Sequence, residues 1–249
     1  MSDASSTPRS STRKTRTPFT RVIVSAIIGH RQTKKRREAL GDWAGTLGLD
    51  FIHGQDPTYD GRFQFAALRQ GRNRYAFNRA EGIYDGRTVW AFDYHYETES
   101  TRTTTDAKGN TRTEKTTNHH YFSGVILRSD VPLRKLIIRP EGFGDKLKAF
   151  FGSNDLDFES GEFSRRYHVS ADDRKYAYDI LHARAIEYLL GRPACTIEFD
   201  KTEHVLILRG VGRLPPDGFQ ESLETLDTLL DLMPDYLKRQ MHHTHAEPT

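Results

Sequence analysis

From Val89 to Tyr96 the side chains alternate with a period of two. Val89, Ala91, Asp93 and His95 fall on one side, and Trp90, Phe92, Tyr94 and Tyr96 on the other. A helix would spread those four rings around its axis, whereas a strand sets them in one row. The pattern predicts a strand with an aromatic inner face. A matching extended run covers Tyr121–Leu127, and the stretch between the two is Thr-rich and charged, with a turn signal at Asp106-Ala107-Lys108-Gly109-Asn110. Threonine favours extended backbone and glycine supplies the turn. The two runs are therefore expected to be the arms of one long β-ribbon that projects into solvent.

The rest of the chain divides between helical and extended patterns. Phe19, Val22, Ile23, Ala26 and Ile27 make a helical stripe, and Lys34–Leu47 continues helically with Leu40, Trp43, Ala44 and Leu47 on one face, closed by Gly48. Phe63–Leu68 is apolar and fits either helix or strand. Leu136–Ile138 and Phe163–Val169 are expected to be extended, and Gly144–Phe151 helical. Ser170 with Asp173 resembles a capping box that opens a helix running to Leu190, where Gly191 and Pro193 stop it. Thr196–Phe199 and Val205–Leu208 form a hairpin around Asp200–Glu203. Near the C-terminus, Phe219, Leu223, Leu226, Leu230, Met233 and Leu237 recur at spacings of 4, 3, 4, 3 and 4, one narrow apolar seam with Pro234 as a kink or restart. That seam is expected to dock on the sheet. A homodimer through the C-terminal helix is the alternative use of it. The expected fold is α+β: a mainly antiparallel curved sheet with a long protruding β-hairpin, an N-terminal helix and packed C-terminal helices.

Charge separates the N-terminus from the rest. Net charge is +3, but residues 1–37 hold ten Lys/Arg against Asp3 alone, a net +9, so the remainder carries −6. Residues 1–18 are rich in Ser, Thr, Arg and Pro with almost no apolar content, and are expected to be a disordered basic tail. The expected organisation is this tail, an α+β domain over 19–238, and a flexible His-rich C-terminus over 239–249. The first apolar run, Val22–Ile28, is seven residues against the roughly 20 that span a bilayer. It makes neither a span nor a convincing signal peptide. A single cysteine, Cys195, excludes an intramolecular disulfide and any Cys-pair zinc site, and fits a reducing, cytoplasmic setting.

Two stretches carry a resemblance. One is Gly61–Tyr96, ending in Phe92-Asp93-Tyr94-His95-Tyr96; the other is Phe158–Leu181, FESGEFSRRYHVSADDRKYAYDIL. With Arg36–Phe51 and the final helix they resemble a family of uncharacterised bacterial proteins, a domain of unknown function, over roughly residues 36–237. Many members of that family carry membrane segments before the domain; here only Phe19–Ile28 stands in that place. The resemblance implies no activity and transfers no catalytic residue.

The remaining chemistry-bearing residues point away from catalysis. Asp155, Asp157, Glu159 and Glu162 could offer oxygen ligands to Ca²⁺ or Mg²⁺, but strand alternation would turn Leu156 and Phe158 inward and leave the acids solvated. Glu162, Arg165 and Arg166 beside Tyr167 and His168 read as the charged edge of a strand. His119 and His120 point to opposite faces if extended, so they cannot share one metal. His242, His243 and His245 lie in a tail with nothing to orient them. His95 has no Ser or Cys partner in the sequence, and Cys195 is expected to be buried and inert. GxGxxG, P-loop and HExxH motifs are missing, and Gly142 and Gly144 around Phe143 read as a loop. The reading is no catalytic residues, no metal and no cofactor.

One feature argues for a partner. Phe19, Ile23 and Ile27 offer a short apolar face, followed by Arg31, Lys34, Lys35, Arg36 and Arg37. That order suits an interfacial segment on an anionic membrane, or docking on an acidic protein. The expected function is thus a non-catalytic binding or scaffold module held peripherally at the inner face of a membrane. The alternatives are a nucleic-acid-associated protein using the same arm, which has few interleaved aromatic residues for base stacking, and an enzyme whose site is assembled from distant residues.

Overall fold

The structure is a computed structural model and describes residues 33–105, 108–109, 111–141, 156–210 and 212–240. The expected helix over 19–28 and the expected helix Gly144–Phe151 lie outside the described residues. The chain divides between Glu38 and Ala39 into two compact units. In the first, Lys34 and Glu38 form an exposed i,i+4 pair at 3.7 Å.

The unit from Ala39 onward is built on one eight-stranded sheet. Its strands are β1 (Asp50–Ile52), β2 (Arg72–Tyr84), β3 (Arg87–Thr105), β4 (Thr111–Arg128), β5 (Leu136–Pro140), β6 (Tyr167–Ala171), β7 (Thr196–Phe199) and β8 (His204–Leu208). The order across the sheet is β1-β2-β3-β4-β8-β7-β5-β6, and every neighbouring pair is antiparallel. Helical residues 33–46 form α1, and further helices are α2 (Tyr59–Arg62), α3 (Gly161–Arg166), α4 (Arg174–Ile180), α5 (Ala183–Leu190), α6 (Pro216–Asp231) and α7 (Asp235–Gln240). The α+β class, the curved antiparallel sheet and the long hairpin are as the sequence pattern anticipates. β3 and β4 pair continuously from Val89↔Leu127 to Thr105↔Thr111, and the outer part of the ribbon is exposed.

Each face of the sheet carries its own core. On one face pack Leu40 and Ala44 of α1, Ala80, Val89, Ala91, Val125 and Leu127 of the central strands, and α4 to α7. All six seam residues, Phe219 to Leu237, are buried here. The seam is therefore occupied within the chain, docked on the sheet as expected. Trp43 stacks on Phe219 and its indole N–H donates to Gln220 at 2.9 Å. Tyr59, Phe63, Phe65, Leu68, Trp90, Phe92, Tyr94, Phe122, Ile126 and Leu206 cover the other face. Phe63–Leu68 resolves into neither strand nor α-helix: it leads into a 3-10 turn, Ala66–Arg69, whose Leu68 carbonyl accepts from the Tyr94 hydroxyl at 2.7 Å. Gly124 stands opposite Phe92, where a Cβ would come within 3.1 Å of that ring, so a larger residue would press on its neighbours there.

Three expectations need correction. β2, a thirteen-residue strand, has no counterpart in the sequence reading. Its alternation is broken by two one-residue bulges, between Arg72 and Tyr75 and between Phe77 and Ala80, so no single phase of apolar residues runs through it. Phe163–Val169 is not extended throughout: Gly161–Arg166 is helical, with the Ser160 hydroxyl accepting from the Phe163 N–H, and only Tyr167–Ala171 is strand. The helix ending at Leu190 is two helices. Asp173, not Ser170, caps the first by accepting from the Tyr176 N–H, and Leu181 and His182 interrupt them.

Candidate functional site

Of the basic-arm residues, Phe19, Ile23, Ile27 and Arg31 lie outside the described residues. Lys34, Lys35, Arg36 and Arg37 occupy one helical turn of α1, with Lys34, Lys35 and Arg37 exposed and Arg36 half-buried.

Among the described residues, a group of His and Glu side chains that could hold a metal ion lies elsewhere, at the base of the β3–β4 hairpin. On the α-helical face of the sheet, β3 runs Val89, Ala91, Asp93, His95, Glu97, and the residues opposite on β4 are Leu127, Val125, Ser123, Tyr121 and His119. The first two pairs are core. At the third the face turns polar: the buried Asp93 carboxylate accepts from the Ser123 hydroxyl at 2.6 Å and from the Asn78 amide at 2.9 Å. Ser123 Oγ in turn accepts from the Leu214 N–H at 2.8 Å, tying the loop before α6 to the sheet.

One and two steps further along this face are His95 and Glu97. His95 Nδ1 stands 3.0 Å from the Asn73 carbonyl, His95 Nε2 stands 3.1 Å from His119 Nδ1, and His119 Nδ1 stands 3.4 Å from Glu97 Oε1. One ligand atom from each of His95, Glu97 and His119 lies within 4.8 Å of the other two. The Asn73 side-chain amide donates to Glu97 Oε1 at 2.7 Å. Rings enclose the inner end: Tyr75 stacks on His95 at 4.5 Å and Tyr121 lies at 4.9 Å, while His119 reaches solvent. Burial, with Tyr121 and Glu97 nearby, pushes the Tyr75 hydroxyl pKa above its ordinary value, so Tyr75 stays a neutral wall at physiological pH.

The backbone that builds this corner is unusual. Asn73 sits in the first β2 bulge at φ +48° and Asn78 in the second at φ +46°. Asparagine tolerates this left-handed region better than most residues. Both bulges thus aim an amide at a β3 carboxylate, Asn73 at Glu97 and Asn78 at Asp93. Gly71, at φ +58°, approaches β3 so closely that a Cβ would lie 2.1 Å from the Glu97 carbonyl oxygen.

The other sequence candidates stay apart from this corner. Leu156 is buried and Phe158 half-buried while Asp157, Glu159 and Glu162 are exposed, the alternation expected of solvated acids; Asp155 lies outside the described residues. Asp157, Glu159, Glu162 and Glu187 rim an open groove floored by Phe158, Leu181, Ile186 and Leu190. Arg166 does not sit at a free strand edge. Its guanidinium donates to the carbonyls of Leu190, at 2.6 Å, and Arg192, closing the end of α5. Cys195 is buried, and burial pushes its thiol up to about 11, an inert thiol as expected. His119 and His120 do face opposite ways: His120 stacks on Tyr96 of the aromatic face. The tail histidines lie outside the described residues. The sequence pattern pairs His119 with His120 and leaves His95 without a partner, and so misses the corner. The signal was present: His95 and Glu97 share a face at i,i+2, and a turn centred on Lys108 sets position 97 opposite position 119.

No protein-family model matches the chain, and no curated protein matches it. A solved structure is similar: the crystal structure of the mycobacterial trehalose monomycolate transport factor A, TtfA, aligns over 83% of this chain and 96% of that one, with a TM-score of 0.56 and 13% sequence identity. At that identity the likeness shows a shared fold. Among the described residues, no helix is long and apolar enough to cross a membrane.

Proposed function

We propose that this chain is a non-catalytic accessory module that docks peripherally on an anionic membrane, at its inner face, through the basic stretch ending at Arg37. The observation that carries the reading is the charge division: +9 on residues 1–37 against −6 on the rest, with Lys34, Lys35 and Arg37 presented side by side to solvent. Basic residues near an anionic lipid surface each contribute about 1 kcal/mol. The acidic remainder gives the folded body no electrostatic reason to lie on the same surface, so it is held near the bilayer and left free to meet a partner. A fold shared with a protein described as a transport factor supports an accessory reading over a catalytic one. The resemblance to a bacterial family whose members often carry membrane segments points the same way.

The test is co-sedimentation with vesicles of defined anionic lipid content, comparing the chain with a variant carrying Lys34→Glu, Lys35→Glu and Arg37→Glu. Removing three favourable charges predicts a loss of binding of about 100-fold or more, with wild-type binding weakening as salt is raised. Equal sedimentation of the two proteins refutes the reading. Retention of duplex DNA with a linear fall of log affinity against log salt, and no vesicle binding, would favour the nucleic-acid alternative.

A further inference from the structure

We propose that His95, Glu97 and His119 form a binding site for a first-row divalent metal ion, zinc being the ion that suits the ligand set. The inference is independent of the basic stretch and of membrane docking.

The argument starts from proton positions. A backbone carbonyl only accepts, so the 3.0 Å contact with the Asn73 carbonyl places the His95 ring proton on Nδ1. Nε2 of a neutral ring is then a bare lone pair. It belongs to a side chain 2% exposed, and it points at His119 Nδ1, 3.1 Å away. Glu97 Oε1, also an acceptor, converges on the same nitrogen at 3.4 Å. Two buried or half-buried lone pairs aimed at one spot call for a cation or a shared proton. The spacing fits a metal. Zn–N and Zn–O bonds of about 2.0–2.2 Å at tetrahedral angles set donor atoms about 3.3 Å apart, and the separations of 3.1 and 3.4 Å bracket that value.

The surroundings are those of a metal site as well. Histidine ligands generally donate their second ring N–H to a carbonyl or carboxylate, and ligand carboxylates are themselves hydrogen-bonded. Asn73 does both jobs: its carbonyl orients His95 and its amide orients Glu97. The positive φ of Asn73 and the close approach of Gly71 are what bring that one residue within reach of two ligands. Two imidazoles and one carboxylate leave the fourth position open on the side where His119 meets solvent. A bound ion would pin the first β2 bulge to the base of the projecting hairpin.

The experiment is zinc titration of the full-length, chelator-stripped protein against a chromophoric competitor, with Co²⁺ substitution as a spectroscopic readout. One equivalent is expected at the corner, with visible cobalt bands of four-coordinate intensity. His119→Ala, a surface change that leaves the fold intact, should lower zinc affinity at least 100-fold and abolish those bands, as should Glu97→Gln. Asn73→Gly, which keeps the carbonyl and the backbone freedom but removes the amide, should weaken binding about 10-fold. Because His242, His243 and His245 could bind zinc on their own, a chain with all three as alanine is titrated in parallel and should keep the equivalent and its bands. The proposal is overturned if the stripped protein takes up no zinc at micromolar concentration, which would mean a proton alone bridges the two rings. It is equally overturned if His119→Ala binds as the wild type does, or if the tail substitutions remove all binding.

Discussion

The two faces of β3 share a backbone and differ in what covers them. On one face Trp90, Phe92 and Tyr94 lie under a lid made of Tyr59, Phe63, Phe65 and Leu68, and the row stays apolar until Tyr96. On the other, the helical layer ends over Ala91, and the row changes to Asp93, His95 and Glu97. The bulged segment of β2 edges the second row, and it brings two asparagines alongside the rings of Tyr75 and Phe77. One face of the strand therefore contributes apolar burial, and the other carries polar groups that run from the buried Asp93 out to the solvent-reaching corner. The contrast teaches where to look for function in a fold of this kind: at the place where the covering layer stops while the strand continues.

Substitutions can break this contrast, beginning with the aromatic face. Phe92→Ala leaves a cavity at a fully buried ring and is expected to destabilise by about 3–5 kcal/mol in denaturant unfolding. Asp93→Ala strikes the polar face at its most buried point. It removes the acceptor for Ser123 and for the Asn78 amide, so a loss of about 2–4 kcal/mol is expected, partly recovered by Asp93→Asn.

Glu198 sharpens the comparison, because it is a buried carboxyl on the aromatic face, opposite Leu206. Burial raises its pKa to about 7, against the lowering effects of the Ala66 and Ala67 N–H groups and Lys135. Ala66 N–H donates to Oε1 at 2.8 Å, and Oε2 is buried without a partner. Between the ordinary pKa of 4.5 and about 7 the folded state holds a proton that the unfolded state has lost. Stability therefore falls as pH rises through that window. Glu198→Gln should flatten this slope and raise stability at pH 8 by about 2 kcal/mol, measured as unfolding free energy against pH. The smallest effect is expected from His119→Ala: within about 0.5 kcal/mol in the metal-free protein, since the side chain is exposed. A large loss there would mean that the corner serves the fold and not a ligand.

How legible these regions were follows from the same difference. The aromatic row was readable because four rings at period two have one explanation, and the C-terminal seam because six apolar residues at helical spacing have one. β2 was not readable, since each bulge inserts a residue and reverses the phase that a period-two search depends on. Nor was the helix Gly161–Arg166, where the Ser160 cap acts over three residues with too few apolar positions for a period. Cys195 was correctly read as buried and inert.

By itself, then, the sequence determined the α+β class, the hairpin and its turn, the apolar helical seam and the division of charge, all of which depend on neighbours along the chain. The tertiary structure alone decided that Asn73 would hold His95 and Glu97 while His119 closed on them from the opposite strand. Those contacts span up to 24 residues and rest on a bulge and a left-handed backbone. Local pattern is silent there because the geometry is set by the pairing of strands, and not by the order of side chains within one.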